Sequence, residues 1–351
     1  MDTKVITIDE DKIDEKLLEE AGRIIKAGGL VAFPTETVYG LGGDALNPRS
    51  SKKIYAAKGR PSDNPLIVHI AEFEAIEPIV KEVSDEARKL AEKFWPGPLT
   101  MILPKSEAVP YETTGGLDTV AIRMPVHKTA AAFIKAAGGY VAAPSANLSG
   151  KPSPTCARYV IQDMDGRIDM IIDGGDAGIG LESTIVDLSS KVPCLLRPGY
   201  ITIEQLREVL GQVDVDKTIL DGDCKDRPKA PGMKYKHYAP KGELTIVEGM
   251  SKSVTDRICS LTSQAQADNK KVGIIATDET ASYYNADSVK SIGSRQDEDM
   301  IAHRLYTILR EFDDENIEVI YSESFSTSGI GQAIMNRLLK AAGHQIIYVE
   351  D

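Results

Sequence analysis

The feature that most constrains the fold is a change of rhythm along the chain. From about residue 30 to residue 190 the sequence is a succession of short β-branched runs: "LVAFPT", "LIVHI", "LTMILP", "TVAIRMP", "YVAAP", "MIIDGG" and "STIVDL". Each is short enough for a buried strand, and Gly or Pro punctuates most of them. Helical spacing is sparse there. In "DKIDEKLLEEAGRIIKAGG" the residues Ile13, Leu17, Leu18, Ala21, Ile24 and Ile25 recur on one face, and Gly28-Gly29 supplies a stop. Shorter helical patterns fall at "SSKKIYAAK", at 84–94 and at 128–137. Many strands with few helices predict a mixed, twisted sheet around a concave cavity. From residue 242 the rhythm becomes strand then helix, repeated: "ELTIVEG", "KVGIIATDE", a strand near 287–292 and "IEVIYSES", each followed by a helix or turn. That pattern predicts a smaller, Rossmann-like parallel α/β domain, here without GxGxxG. Between the two, "TIEQLREVL" closes the first domain, and the chain turns polar, charged and proline-bearing. The expected division is 1–210, a linker or lid at 211–241, and 242–351.

Composition excludes several classes of function. The formal net charge is −12 over 351 residues, which argues against broad nonspecific nucleic-acid binding. Cys156, Cys194, Cys224 and Cys259 form no CxxC pair, so neither a structural zinc site nor a disulfide scaffold is expected. The acidic N-terminus "MDTKVITIDEDKIDEK" lacks an apolar signal region, and no apolar run approaches membrane-spanning length. A cytoplasmic protein is the expectation. Walker A, HExxH and GxSxG motifs are missing from the sequence.

The candidate chemistry sits in loops where strands end. In "KGRPSDNPL", Lys58 and Arg60 lie two apart, so an extended chain would point both to one side as a polyphosphate clamp. The alternative is a solvated pair after a helix C-terminus. "FPTETVYGLGGDA" exposes Thr35, Glu36 and Thr37 after a strand break, then offers glycines for a tight turn. "AAPSANLSGKPSPT" packs Ser145, Asn147, Ser149 and Ser153 into a Pro/Gly-framed loop that is either a phosphate nest or a plain polar turn. Arg123 interrupts an apolar strand and therefore needs an anionic partner, either an internal carboxylate or a substrate. "GLESTIVD" puts Glu182, Ser183 and Thr184 at a strand start, and His69 in "LIVHI" reads as a core histidine.

Taken together and in order, "FPTETVYGLG", "KGRP" with "NPL", "WPGPLT", "RMP", "APSANLSG", "ESTIVD", "RPG" and "PGMKYKHYAP" resemble the YrdC-like family. With "GIGQAIMNRLLKAA" near the end, the whole chain is similar to the family's two-domain members, the L-threonylcarbamoyl-AMP synthases. The resemblance implies an enzyme that condenses L-threonine, bicarbonate or CO2, and ATP, with Mg2+, into threonylcarbamoyl-AMP and pyrophosphate. The product would serve threonylcarbamoylation of the adenosine beside the anticodon in tRNAs reading ANN codons. A separate transferase would carry out that step, so tRNA need not bind this chain.

The same resemblance implies roles residue by residue. Lys58 and Arg60 are the phosphate clamp. Ser62, Asn64, Thr119, Ser145, Asn147, Ser153 and Arg197 complete the ATP site, and Tyr235 touches ATP from a lid in which Lys234, Lys236 and His237 approach the phosphates. Arg123 receives the threonine carboxylate, within a pocket of Thr35, His69, Ala143 and Ser183. No protein metal ligand is implied. Two rivals are a noncatalytic RNA-binding protein, opposed by the charge of −12, and a hydrogenase-maturation carbamoyltransferase, opposed by the missing CxxC motifs.

Overall fold

The computed structural model describes residues 2–217, 219 and 238–350. The predicted lid contacts of Lys234, Tyr235, Lys236 and His237 lie outside the described residues. Two compact units are present, one holding Met1–Ser149 and Ser153–Tyr235, the other Gly150–Pro152 and Lys236–Asp351.

The first unit is built on strands β1 (Lys4–Thr7), β2 (Val31–Phe33), β3 (Gly40–Asp44), β4 (Ile67–His69), β5 (Leu99–Pro104), β6 (Thr119–Arg123), β7 (Val141–Ala143), β8 (Met170–Asp173), β9 (Thr184–Asp187), β10 (Cys194–Arg197) and β11 (Asp214–Val215). They form one mixed sheet in the order β1-β8-β2-β3-β7-β4-β6-β5-β9-β10-β11. Its helices are α1 (Glu15–Lys26), α2 (Pro48–Lys58), α3 (Asp85–Phe94), α4 (Lys128–Ala136), α5 (Ala157–Met164) and α6 (Ile203–Leu210). A 3-10 segment, Phe73–Ile79, and α5 were not visible as periodic patterns. Residues 214–215, inside the stretch read as linker, pair in parallel with β10.

Strand alternation sorts the side chains into two layers. Ala32, Val68, Val120, Ile122 and Ile171 enter the larger core with residues of α3, α5 and α6. Val31, Phe33, Val141, Met170 and Ile172 enter the opposite layer, covered by Leu18, Ala21 and Ile25 of α1 and Ala130, Phe133 and Ile134 of α4. Farther along that second face, Ile67, Ile102, Ala121, Ile185 and Leu196 make a small apolar patch from strands alone. His69 and Arg123 lie two residues beyond Ile67 and Ala121 on β4 and β6, and so on the same face as this patch.

The "GLGGD" stretch corrects the tight turn expected from its glycines: it is strand β3, antiparallel to β2 and β7. Glycine is required there for close approach. A Cβ on Gly42 would meet Val141 Cγ1 at 2.8 Å and the Val31 carbonyl oxygen at 3.0 Å.

The second unit has strands β12 (Glu243–Glu248), β13 (Val272–Ala276), β14 (Ser288–Ser291), β15 (Val319–Glu323) and β16 (Ile346–Tyr348), all parallel, ordered β14-β13-β15-β12-β16. Helices α7 (Ser251–Ala267), α8 (Glu298–Asp314) and α9 (Ile330–Ala341) connect them. This is the parallel α/β arrangement that the alternating rhythm predicts. Within this unit the buried Arg310 donates to the carbonyl of Pro152 through Nε and Nη2, at 3.0 and 2.6 Å.

Candidate active site

Strand β6 sets the geometry. Val120 and Ile122 point into the large core, so Arg123 must project from the other face. The ladder places His69 of β4 and Thr100 of β5 directly beside it. Arg123 is only 4% exposed, and burying an unpaired guanidinium would be costly. The sequence left open an internal carboxylate or a ligand; the structure supplies Glu36, whose Oε1 accepts from Nη2 at 2.6 Å. Nη1 donates to Thr37 Oγ1 at 2.7 Å, and Nε to the Gly97 carbonyl at 3.4 Å.

A hydroxyl relay runs onward from that contact. Thr35 donates its one proton to the Val38 carbonyl at 2.7 Å, so its oxygen accepts from Thr37 across 2.9 Å. Both threonines are buried, which corrects the exposure expected after the strand break, because their hydroxyls are taken up by this relay. The Glu36 carboxylate keeps one oxygen, Oε2, buried without a partner among the described residues. His69 stands edge-on to Phe33, with ring centroids 5.8 Å apart, and its Nδ1 lies 3.1 Å from the Ile67 carbonyl. Burial first, and the neighbouring Arg123 charge second, lower its pKa to about 3, so the imidazole is neutral at physiological pH.

A second cluster forms around β9, which pairs with β5 on one side and β10 on the other. Arg197, at the end of β10, donates from Nε to the Ser183 carbonyl at 3.0 Å and from Nη2 to Ser183 Oγ at 3.1 Å. The Ser183 hydroxyl also meets Thr100 Oγ1 at 2.8 Å, which links this cluster to the Arg123 row. Ser153 donates to Glu182 Oε1 at 2.5 Å, both side chains being buried. The "RPG" glycine has a steric reason here, since a Cβ on Gly199 would sit 2.4 Å from the Thr184 nitrogen.

Lys58 corrects the extended clamp. It is the last residue of α2, followed by Gly59 in the left-handed region at φ 63°. The side chain is therefore aimed by a helix end, not by a strand. It is 3% exposed, so it is not a solvated cation either. Its Nζ donates to the carbonyl oxygens of Ser145 and Asn147, the latter at 2.6 Å, and lies 3.4 Å from Asn147 Oδ1. Ser145 Oγ in turn donates to that Oδ1 at 2.5 Å. The loop after β7 is thus wound around an ammonium group. Arg60 is half-buried and donates to the carbonyls of Asn64 and Pro65 at 3.4 and 3.3 Å. Asn64 is 1% exposed, yet neither its amide oxygen nor its amide nitrogen has a partner among the described residues. Buried amides are almost always hydrogen-bonded, so this one needs a water or a ligand as its partner.

The structure therefore joins Thr35, His69, Arg123, Ser183 and Arg197 through one ladder and its hydrogen bonds, and Lys58, Ser145 and Asn147 through another set of bonds. Ala143 sits on β7 opposite Ile67, beside the apolar patch. Ser62 is exposed. Thr119 lies at the far end of β6 from Arg123, opposite Pro104, and among the described residues its side chain joins neither network. The sequence marked Glu36, Thr37 and Glu182 as polar groups where strands break or begin, without showing their partners, and Thr100 was passed over. Thr100 had a signal: it is the polar β-branched residue at the start of an otherwise apolar strand.

Among the described residues no group of three or more His, Cys, Asp or Glu is placed to hold a metal ion, and no helix is long and apolar enough to cross a membrane.

Comparison with known proteins places this geometry. A family model described as "Telomere recombination" (Sua5, YciO and YrdC) matches residues 23–199, and one described as "Threonylcarbamoyl-AMP synthase, C-terminal domain" matches residues 201–343. The threonylcarbamoyl-AMP synthase of Pyrococcus abyssi is 48% identical over 347 residues, covering 99% of this chain and all of that one. The Bacillus subtilis protein of the same name is 49% identical over 340 residues, covering 97% and 96% of the two chains. The crystal structure of P. abyssi Sua5 complexed with L-threonine superposes with a TM-score of 0.94 at 47% identity, over 99% of this chain and 100% of that one. The chain belongs to the threonylcarbamoyl-AMP synthase family.

Proposed function

We propose that the site condenses L-threonine, CO2 or bicarbonate, and ATP into threonylcarbamoyl-AMP, releasing pyrophosphate. The observation that carries this reading is the buried Arg123. Its guanidinium is held between Glu36 and a relay of threonine hydroxyls, and Glu36 keeps an unused oxygen that can accept from the ammonium or hydroxyl of a small amino acid whose carboxylate approaches Arg123. The full-length relative that was crystallised with L-threonine supports the same choice.

The chemistry asks for no protein nucleophile. The threonine amine attacks the carbon of CO2 and loses a proton, giving a carbamate. A carbamate oxygen then attacks the α-phosphorus of ATP, and pyrophosphate leaves. Position and charge carry such a step, each well-aimed contact contributing on the order of 3 kcal/mol. Arg123 orients the threonine carboxylate, while Thr35, His69, Ser183 and the Ala143 backbone shape its pocket. A neutral His69 keeps a further cation out of that pocket. Lys58 and Arg60 face the phosphates. Asn64, Ser145, Asn147, Ser153 and Arg197 complete the nucleotide site, with Ser62, Thr119 and Tyr235 as further nucleotide contacts. Mg2+ entering with ATP would supply charge neutralisation on the phosphates, and no residue of this chain is assigned as its ligand.

The product would pass to a separate transferase that modifies tRNAs reading ANN codons, without direct tRNA binding here, and the setting for that chemistry is the cytoplasm. Omission assays test the proposal. Pyrophosphate release should require ATP, Mg2+, threonine and bicarbonate together, and release that ignores threonine would reject it.

A further inference from the structure

On the α3 side of the first unit a cavity of about 320 Å3 opens between Phe73, Arg88, Ala91, Glu92, Trp95 and Met124. Its size falls at the small-molecule end of binding cavities. The site residues described above face elsewhere: Arg123 and Met124 are consecutive, and side chains alternate at the end of a strand. The cavity walls are fixed. The Trp95 indole N–H is already used, donating to the Leu99 carbonyl at 2.7 Å, so the ring presents only apolar surface. Gly97 N–H donates to the Met124 carbonyl at 2.8 Å and pins the opposite wall.

The rim is charged with both signs. Arg88 and Glu92 lie four apart on α3 and so share one helix face. Both are exposed, and among the described residues neither side chain enters an ion pair or a hydrogen bond. The contrast with α1 is informative, because there Glu19 and Arg23, also four apart, do pair at 4.0 Å. Acid before base is the better order for an intrahelical pair, and α3 has the reverse. A free cation and a free anion one turn apart, above an apolar cavity, present complementary partners for a carboxylate and an ammonium.

We propose that this cavity binds a free α-amino acid with an aromatic or branched apolar side chain. The side chain enters between Phe73, Trp95 and Met124, the carboxylate takes the Arg88 guanidinium, and the ammonium takes Glu92. The phosphates of a nucleotide would meet the Glu92 charge. Threonine has too little apolar surface to fill it.

Trp95 is the one tryptophan of the chain, so its emission reports this cavity without a label. The full-length protein, with L-threonine in excess to occupy the site described above, is titrated with L-phenylalanine and with L-leucine, by calorimetry and by tryptophan emission in parallel. Saturable binding of at least one is expected, and Arg88→Ala should weaken it about tenfold or more. Glu92→Gln should weaken L-phenylalanine while leaving 3-phenylpropionate, which has no ammonium, unchanged. Absence of both heat and emission change up to about 10 mM would overturn the proposal. So would undiminished binding in Arg88→Ala, or an equal loss of both ligands in Glu92→Gln.

Discussion

A histidine that stays neutral inside the fold should make stability depend on pH, and His69 makes the size of the effect calculable. It is 4% exposed, beside Arg123, with a folded pKa of about 3. In the unfolded chain it titrates near the ordinary value of about 6.5. Below that value the unfolded state binds a proton that the folded state refuses. Stability is therefore lost as pH falls from 6.5 toward 3, at about 1.4 kcal/mol per pH unit. From pH 7 to pH 5 the loss attributable to His69 is about 2 kcal/mol, and it changes little if the folded pKa is a unit higher. His69→Asn keeps a short polar group near Nδ1 but cannot titrate. Urea unfolding at both pH values, followed by Trp95 emission, reads the unit that contains both residues. The wild-type midpoint should drop about 1 M further than the variant's, for an m-value of roughly 2 kcal/mol/M. Carboxylates titrating elsewhere contribute equally to both proteins and cancel. Equal pH dependence in the two would refute the reasoning, because His69 would then be as free to protonate folded as unfolded.

Lys58→Met should abolish pyrophosphate release and also lower stability by about 2–4 kcal/mol, since the Ser145 and Asn147 carbonyls lose a buried donor; thermal denaturation and the activity assay together check this. Arg60→Ala, at a half-buried position, should raise the KM for ATP at a stability cost of about 1 kcal/mol or less, and a large fall in Tm would contradict it. Gly199→Ala forces a methyl to within 2.4 Å of the Thr184 nitrogen. It should cost about 1–3 kcal/mol and disturb the Arg197–Ser183 contact, so both Tm and activity fall; an unchanged Tm would show that the turn yields freely.

Much of this architecture could be read before the structure. The helices α1, α3, α4 and α6 follow from periodic apolar positions and their stop signals, and the parallel second unit from its strand-helix alternation. What could not be read depends on contacts distant in sequence. Arg123 visibly needed an anion, but Glu36 lies 87 residues away, and only the sheet brings them together. The helix end at Lys58 could be read, but the destination of its ammonium could not, because the Ser145 and Asn147 carbonyls that receive it lie 87 and 89 residues away. Gly40, Gly42 and Gly43 suggested a turn because a glycine needed for close packing and one needed for positive φ look alike in sequence. Thr100 stood out only as a polar residue in an apolar run, and its role lies in the register with Arg123 and the contact with Ser183.

If the site joins three small molecules through a carbamate, the carbon of bicarbonate must end in the adenylate. Incubation of the full chain with ATP, Mg2+, L-threonine and carbon-13 bicarbonate, followed by mass spectrometry, tests it most directly. An adenylate containing threonine and one labelled carbon, formed in step with pyrophosphate, is the predicted result. ATP turnover that yields an adenylate without the labelled carbon, or no threonine-dependent turnover at all, would contradict it.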